Sequence, residues 1–156
     1  LILAAQFSST PEIVALLIKK GAELEARDTK GLTPLMLAAQ FSSTPEIVAL
    51  LIEKGAELEA RDTFGVTPLM LAAALSSMPE IVALLIKKGA ELEARDTDGW
   101  TPLMYAAAFS STPEIVALLI EKGAELEARD TAGKTPLSVC FNEAVKKLLK
   151  AAGAKE

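Results

Sequence analysis

The sequence predicts an all-α fold in which short helix-turn-helix units, joined by β-turn or hairpin loops, stack into a solenoid. The first observation is an internal repeat: the unit 62–95 differs from the unit 28–61 at six of 34 positions, and the unit 96–129 differs from it at four. The second is that each unit encodes helices too short to be stable alone in water. Stacking on neighbouring units is therefore the expected source of stability.

We interpret residues 1–156 as a single domain built from these units. Residues 1–27 form a partial unit and residues 130–156 a shortened terminal one. Lysines interrupt the apolar pattern of the last predicted helix, which gives a terminal unit its polar outer face. Since the chain begins within the repeat pattern, we expect further residues upstream of Leu1.

The elements of a unit follow from its capping residues. Thr33 before Pro34 predicts an N-cap with proline at the first helical position, followed by a compact apolar helix. A Ser-Ser-Thr turn separates it from a second helix that starts at Pro45. Gly55 stands where a left-handed residue ends that helix.

In the second full unit, Met78 replaces the threonine before the equivalent proline, Pro79. Losing the cap is expected to cost about 1 kcal/mol unless Ser77 caps the helix instead.

Four spaced motifs recur in the same order along the chain: D-x-x-G-x-T-P-L, an Ala-Ala pair, E-I-V-x-L-L and G-A-x-L-x-A. In these motifs the unit resembles the ankyrin repeat. The resemblance implies an ankyrin-repeat solenoid that binds a protein through a concave groove, lined by the hairpin tips and the exposed inner side of each first helix.

The unit departs from the ankyrin pattern in three ways. Its period is 34 rather than about 33 residues, with the extra residue in the turn 42–45. A methionine replaces the usual histidine after T-P-L, so we expect a packing contact instead of the histidine's hydrogen bond. A glutamate replaces the usual asparagine after the second helix, which predicts a different polar network in the loops. The replaced positions are Met36, Met70, Met104, Glu59, Glu93 and Glu127.

The composition argues against catalysis. The chain has no histidine and one cysteine, which removes the usual triads, thiolate zinc sites and an internal disulfide. No phosphate-binding loop or hydrolase motif occurs. Cys140 falls in a column otherwise occupied by alanine and is predicted to be a buried, inert thiol. We therefore predict no enzyme activity, no metal and no cofactor.

The charge balance limits the classes of partner. With 21 acidic and 16 basic residues, the net charge of −5 argues against a nucleic-acid partner and against an anionic membrane surface. No apolar stretch is long enough to span a membrane. The remaining expectation is a protein partner of unknown identity, bound by a monomer. The lack of a disulfide and of a signal peptide favours a cytoplasmic location.

The positions that vary between the near-identical units are the candidates for binding. In the ankyrin resemblance they line the groove. The candidate protein-binding residues are Lys30, Leu32, Gln40, Phe41, Phe64, Val66, Leu75, Met78, Asp98, Trp100, Tyr105 and Phe109. Aromatic side chains among them are typical interface anchors.

The same sequence features also fit other interpretations of the varying positions. Exposed turns tolerate any residue, so variation there also follows from neutrality. Trp100 could only pack on a neighbouring hairpin, and Tyr105 shares a column with leucines that belong to the core. The alternative to a binding module is an engineered or structural repeat scaffold with no native target, which the near-identity of the units favours.

Overall fold

The structure is a computed structural model that describes residues 1–155; within that range it contains ten helices and no strand. Most helices come in pairs of eight or nine residues, and the first and ninth are shorter. The helices are α1 (Ile2–Phe7), α2 (Pro11–Lys19), α3 (Pro34–Phe41), α4 (Pro45–Glu53), α5 (Pro68–Leu75), α6 (Pro79–Lys87), α7 (Pro102–Phe109), α8 (Pro113–Glu121), α9 (Pro136–Val139) and α10 (Glu143–Ala151).

The helices form two layers. The first helices of successive units contact one another in the order α1, α3, α5, α7, α9, and the second helices do the same in the order α2, α4, α6, α8, α10. Each unit therefore packs mainly on its neighbours in sequence, as the sequence analysis predicts for a solenoid.

The core runs along the stack between the two layers. Its largest fully buried side chains occupy the same four positions of the repeat in three consecutive units. The apolar side chains of each unit are therefore covered by the neighbouring units. These side chains are Leu35, Met36, Ile47, Leu51, Leu69, Met70, Ile81, Leu85, Leu103, Met104, Ile115 and Leu119.

The first helix of each full unit starts at the predicted threonine cap. In the second full unit the Thr67 hydroxyl oxygen accepts the Met70 backbone N–H at 3.4 Å. The Met70 sulfur in turn accepts the Thr67 N–H at 3.4 Å, and Met36 does the same with Thr33. The expectation that methionine provides only packing is therefore wrong at these two positions, since the thioether is a weak acceptor that reaches back to the cap.

The turn between the two helices is organised by a serine rather than by the expected threonine cap. The Thr44 side chain makes no cap hydrogen bond; instead the Ser42 oxygen accepts the Thr44 N–H at 3.0 Å. Ser76 makes the same bond to the Met78 N–H at 3.1 Å. The expected cost of Met78 is therefore wrong, because threonine forms no cap in this column either.

This difference gives a paired prediction. Thr67→Ala removes a buried cap and is expected to lower the free energy of unfolding by about 1–2 kcal/mol, whereas Thr44→Ala removes no side-chain cap and should cost less than about 0.5 kcal/mol. Urea unfolding followed by circular dichroism measures both. Equal losses at the two threonines would contradict the assignment of the cap.

The loops that join successive units contain no strand. We call them hairpins and number them by their turn residues, 28–31, 62–65, 96–99 and 130–133. Each is closed by the aspartate at its first position. In the second full unit the Asp62 carboxylate accepts the backbone N–H groups of Phe64 at 2.8 Å and Val66 at 2.9 Å. Gly65 follows with φ +78° and completes the turn. The turn at 62–65 is therefore one of the β-turn loops that the sequence predicts between units.

The hairpins of successive units are joined by hydrogen bonds. The Thr97 N–H donates to the Phe64 carbonyl at 3.0 Å. The Arg61 guanidinium donates to the carbonyl of Gly65 at 3.0 Å and to that of Arg95, in the next unit, at 2.6 Å. The arginine column thus links neighbouring hairpins, and this linkage sets the hairpin tips side by side along the stack.

Candidate functional site

A row of exposed apolar side chains crosses the first-helix layer. Its members are the last residues of α1, α3, α5 and α7, and each is between 50% and 73% exposed: Phe7, Phe41, Leu75 and Phe109. We call these four residues the apolar row. Exposed apolar side chains that adjoin one another are typical of interaction surfaces.

The hairpin tips lie beside this layer and carry the residues that differ most between units. Lys30, Phe64 and Asp98 are all exposed, and Phe64 is 65% exposed. These three residues therefore lie at the surface where the sequence analysis expects them.

One candidate residue is not at the surface. Val66 is only 6% exposed and packs in a small cluster with Met70 and Ala94. Its predicted exposure is wrong, because the hairpin turns this side chain towards the first helix and away from solvent. Leu32 and Trp100, at the equivalent positions, are half-buried.

Three aromatic rings meet in the third full unit. Trp100 stacks on Phe109 with ring centroids 5.8 Å apart and meets Tyr105 edge-on at 5.5 Å. Tyr105 and Phe109, one turn apart on α7, have centroids 6.1 Å apart. We call these three residues the aromatic cluster; it joins the hairpin to the end of the apolar row, and such ring arrangements are favourable packing geometries.

Carboxylates hold two of these rings. The Trp100 indole N–H donates to Asp130 Oδ2 at 3.1 Å, and the Tyr105 hydroxyl donates to Asp96 Oδ2 at 2.6 Å. Burial and the nearby carboxylates raise the pKa of Tyr105, so its hydroxyl stays protonated. Trp100 therefore does more than pack on a hairpin: it links its own unit to the next.

Asp96 and Asp130 are not among the site residues predicted from the sequence. The signal in the sequence is an aspartate at the first position of each full unit and of the terminal unit. In the structure each of these two aspartates uses only Oδ1 for the backbone N–H groups of its hairpin. The second oxygen is therefore left for a neighbouring donor. Phe7 occupies the same column of the first partial unit as Phe41 and Phe109, and it continues the apolar row.

Two further candidates, Gln40 and Met78, are less exposed than the hairpin tips. Gln40 is half-buried near the end of α3, and Met78 is half-buried and packs against the main core. Leu75, between them in sequence, belongs to the apolar row. Together with the hairpin tips and the aromatic cluster, the apolar row makes up what we call the variable surface.

The glutamates that replace asparagine connect successive units. Glu59 Oε1 accepts the Glu91 backbone N–H at 2.8 Å, and Glu93 Oε1 accepts that of Glu125 at 2.8 Å. Burial raises the pKa of Glu59 and Glu93, while these hydrogen bonds lower it. These glutamates thus take part in a loop network that joins successive units.

The terminal unit holds the single thiol. Cys140 is buried, as predicted, and burial raises its pKa, which lowers thiolate reactivity. It borders a cavity of about 450 Å³ between α9 and α10, where the highly exposed Phe141 also lies. Among residues 1–155, no three His, Cys, Asp or Glu side chains are grouped to hold a metal ion.

A family model for ankyrin repeats, in three copies, matches residues 1–96 and 73–155. No curated protein matches the chain. Over the described part of the chain, every helix is too short or too polar to cross a membrane.

Proposed function

The chain belongs to the ankyrin repeat family, and on that premise we propose that it binds a protein partner through the variable surface and catalyses no reaction. Ankyrin repeats are generally protein–protein interaction modules and are typically not enzymes. The binding surface that we propose consists of the hairpin tips, the aromatic cluster and the ends of the first helices.

The apolar row is the observation that carries the proposal. The columns of Leu35, Ile47 and Leu51 are fully buried in each full unit, whereas this column is half or more exposed in four consecutive units. Phe64 on its hairpin and the aromatic cluster add large side chains to the same surface. Aromatic anchors supply most of the binding free energy in many interfaces.

A second candidate function is a structural or engineered scaffold with no native target. It is favoured by the near-identity of the full units, which differ at only six and four of 34 positions. Both candidates share the same fold and differ in whether the variable surface selects a partner.

A peptide selection with matched variants tests the proposal. Peptides enriched from a random displayed library on the wild-type chain are expected to bind at least tenfold more weakly to the triple variant Phe41→Ser, Phe64→Ser, Phe109→Ser. The control variant Leu16→Ser, Phe141→Ser replaces exposed apolar side chains outside the variable surface. It should bind the peptides as the wild type does.

The same measurement decides between the candidates. Because the three phenylalanines are exposed, the triple variant should keep a cooperative unfolding transition close to that of the wild type. Peptides that bind the triple variant as tightly as the wild type would contradict the proposed surface. A failure to enrich any peptide would favour the scaffold without a target.

A further inference from the structure

We propose that the aromatic cluster and the carboxylates of Asp96, Asp98 and Asp130 form a subsite for an arginine side chain of the protein partner. This inference rests on the proposed function and adds the chemistry of the partner residue. It places that residue at the third full unit, where the variable surface is most aromatic and most acidic.

Neutral donors fix the carboxylates of Asp96 and Asp130 in the subsite. Asp96 accepts the backbone N–H groups of Asp98 and Trp100 and the hydroxyl of Tyr105. Asp130 accepts two backbone N–H groups of its own hairpin and the indole N–H of Trp100. These bonds fix the position of both carboxylates while leaving their negative charge in place.

The negative charge is concentrated around the rings. Asp62, Asp96 and Asp98 all act on the Tyr105 hydroxyl and favour its neutral form. Asp98 lies at the exposed hairpin tip, where a partner can reach it. A cation arriving at this point therefore meets several carboxylates within interaction range.

The subsite also presents an exposed aromatic surface. Phe109 is more than half exposed, and its ring stacks on the indole of Trp100. Cations over aromatic faces are attracted by the ring quadrupole, most strongly over tryptophan. The rings and the carboxylates beside them thus attract the same positive group in two ways, through the ring quadrupole and through the negative charge.

The distribution of charge along the hairpins determines which unit the cationic side chain of the partner would face. The tip residue is Lys30 in the first full unit and Asp98 in the third, and Lys134 follows the tip of the last hairpin. The arginine column recurs in every full unit, and Lys134 lies in the same hairpin as Asp130, so the tip residue is what distinguishes the units. A cationic partner residue is repelled by Lys30 at the first full unit and attracted by Asp98 at the third.

Arginine fits this subsite better than lysine. Its planar guanidinium stacks on aromatic rings and donates in a fork that matches a carboxylate. The ammonium of lysine is a strongly hydrated point charge that loses more on leaving water. Both oxygens of Asp96 and of Asp130 already accept hydrogen bonds, so an arginine would use the rings together with the exposed carboxylate of Asp98.

A fluorescence titration tests the inference directly, because Trp100 is the only tryptophan of the chain. The probe is a short acetylated and amidated peptide of serine, glycine and spaced arginines. The matched probe has citrulline, its neutral near-isostere, at each arginine, and a third has lysine. We expect a saturable change in Trp100 emission with the arginine peptide and at least tenfold weaker binding of the citrulline peptide.

Single-residue variants locate the charge. Asp98→Asn is expected to weaken arginine-peptide binding several-fold and to reduce its dependence on salt, because one exposed carboxylate is lost. The control Glu80→Gln removes one charge from the first turn of α6 and should leave binding unchanged. Equal effects of the two variants would mean that net charge alone attracts the peptide, which would overturn the subsite.

The outcomes separate this inference from the proposed function. Equal binding of the arginine and citrulline peptides, tighter binding of the lysine peptide, or no change in Trp100 emission would overturn the arginine subsite. Peptides without arginine that still require Phe41, Phe64 and Phe109 would leave the proposed function in place while rejecting the subsite.

Discussion

Replacing Leu85 by alanine is expected to lower the free energy of unfolding by about 2–5 kcal/mol, the range for a fully buried leucine. Leu85 lies on α6, in the middle of the stack, and is fully buried. Helix α6 contacts α4 on one side and α8 on the other. A cavity at this point weakens packing in a unit on which both neighbours depend.

Equilibrium unfolding in urea, followed by far-ultraviolet circular dichroism, measures this loss. Leu16→Ala is the matched control, because Leu16 is more than half exposed on α2. Its loss should stay below about 1 kcal/mol, since little apolar surface is buried there. Similar losses for the two leucines would show that stability does not come from burial between stacked units.

Replacing Gly65 by alanine is the second change with a large expected effect. Gly65 has φ +78°, where a side chain costs roughly 1–2 kcal/mol. An added Cβ would also lie 3.2 Å from the backbone nitrogen of Thr97 in the next hairpin. That nitrogen donates to the Phe64 carbonyl, so the hydrogen bond between the two hairpins would be disturbed as well.

Gly133 provides a control that isolates the contact between hairpins. It has nearly the same φ, +79°, but an added Cβ meets nothing within 4 Å. Gly133→Ala should therefore show the cost of the backbone conformation alone. We expect Gly65→Ala to lose about 1 kcal/mol or more beyond that, within the usual range for single substitutions. Urea unfolding of the two variants measures the difference, and identical losses would contradict a tight hairpin contact.

The regular part of the structure could be predicted from the sequence because it depends on local rules and on repetition. The threonine before each proline predicts where a first helix starts, and Gly55 predicts where a second helix ends. Both are confirmed. The repeated apolar columns predict the stacked core, since short helices are stable only when neighbours cover them.

The variable surface could be predicted only in part. Phe64 and Val66 are both apolar, vary between units and lie two residues apart, yet one is exposed and the other buried. Only the position of the hairpin relative to the first helix distinguishes them. Met78 shows the same limit, because Ser76 rather than the residue before proline organises that turn.

The sequence by itself determined the period of the units, the ends of most helices and the columns that fill the core, because each follows from capping, helical periodicity and exact repetition. Tertiary structure alone decided which variable side chains reach solvent and which distant residues meet. The bond from Trp100 to Asp130 spans 30 residues. It forms because stacking brings successive hairpins side by side. No local sequence pattern encodes this proximity.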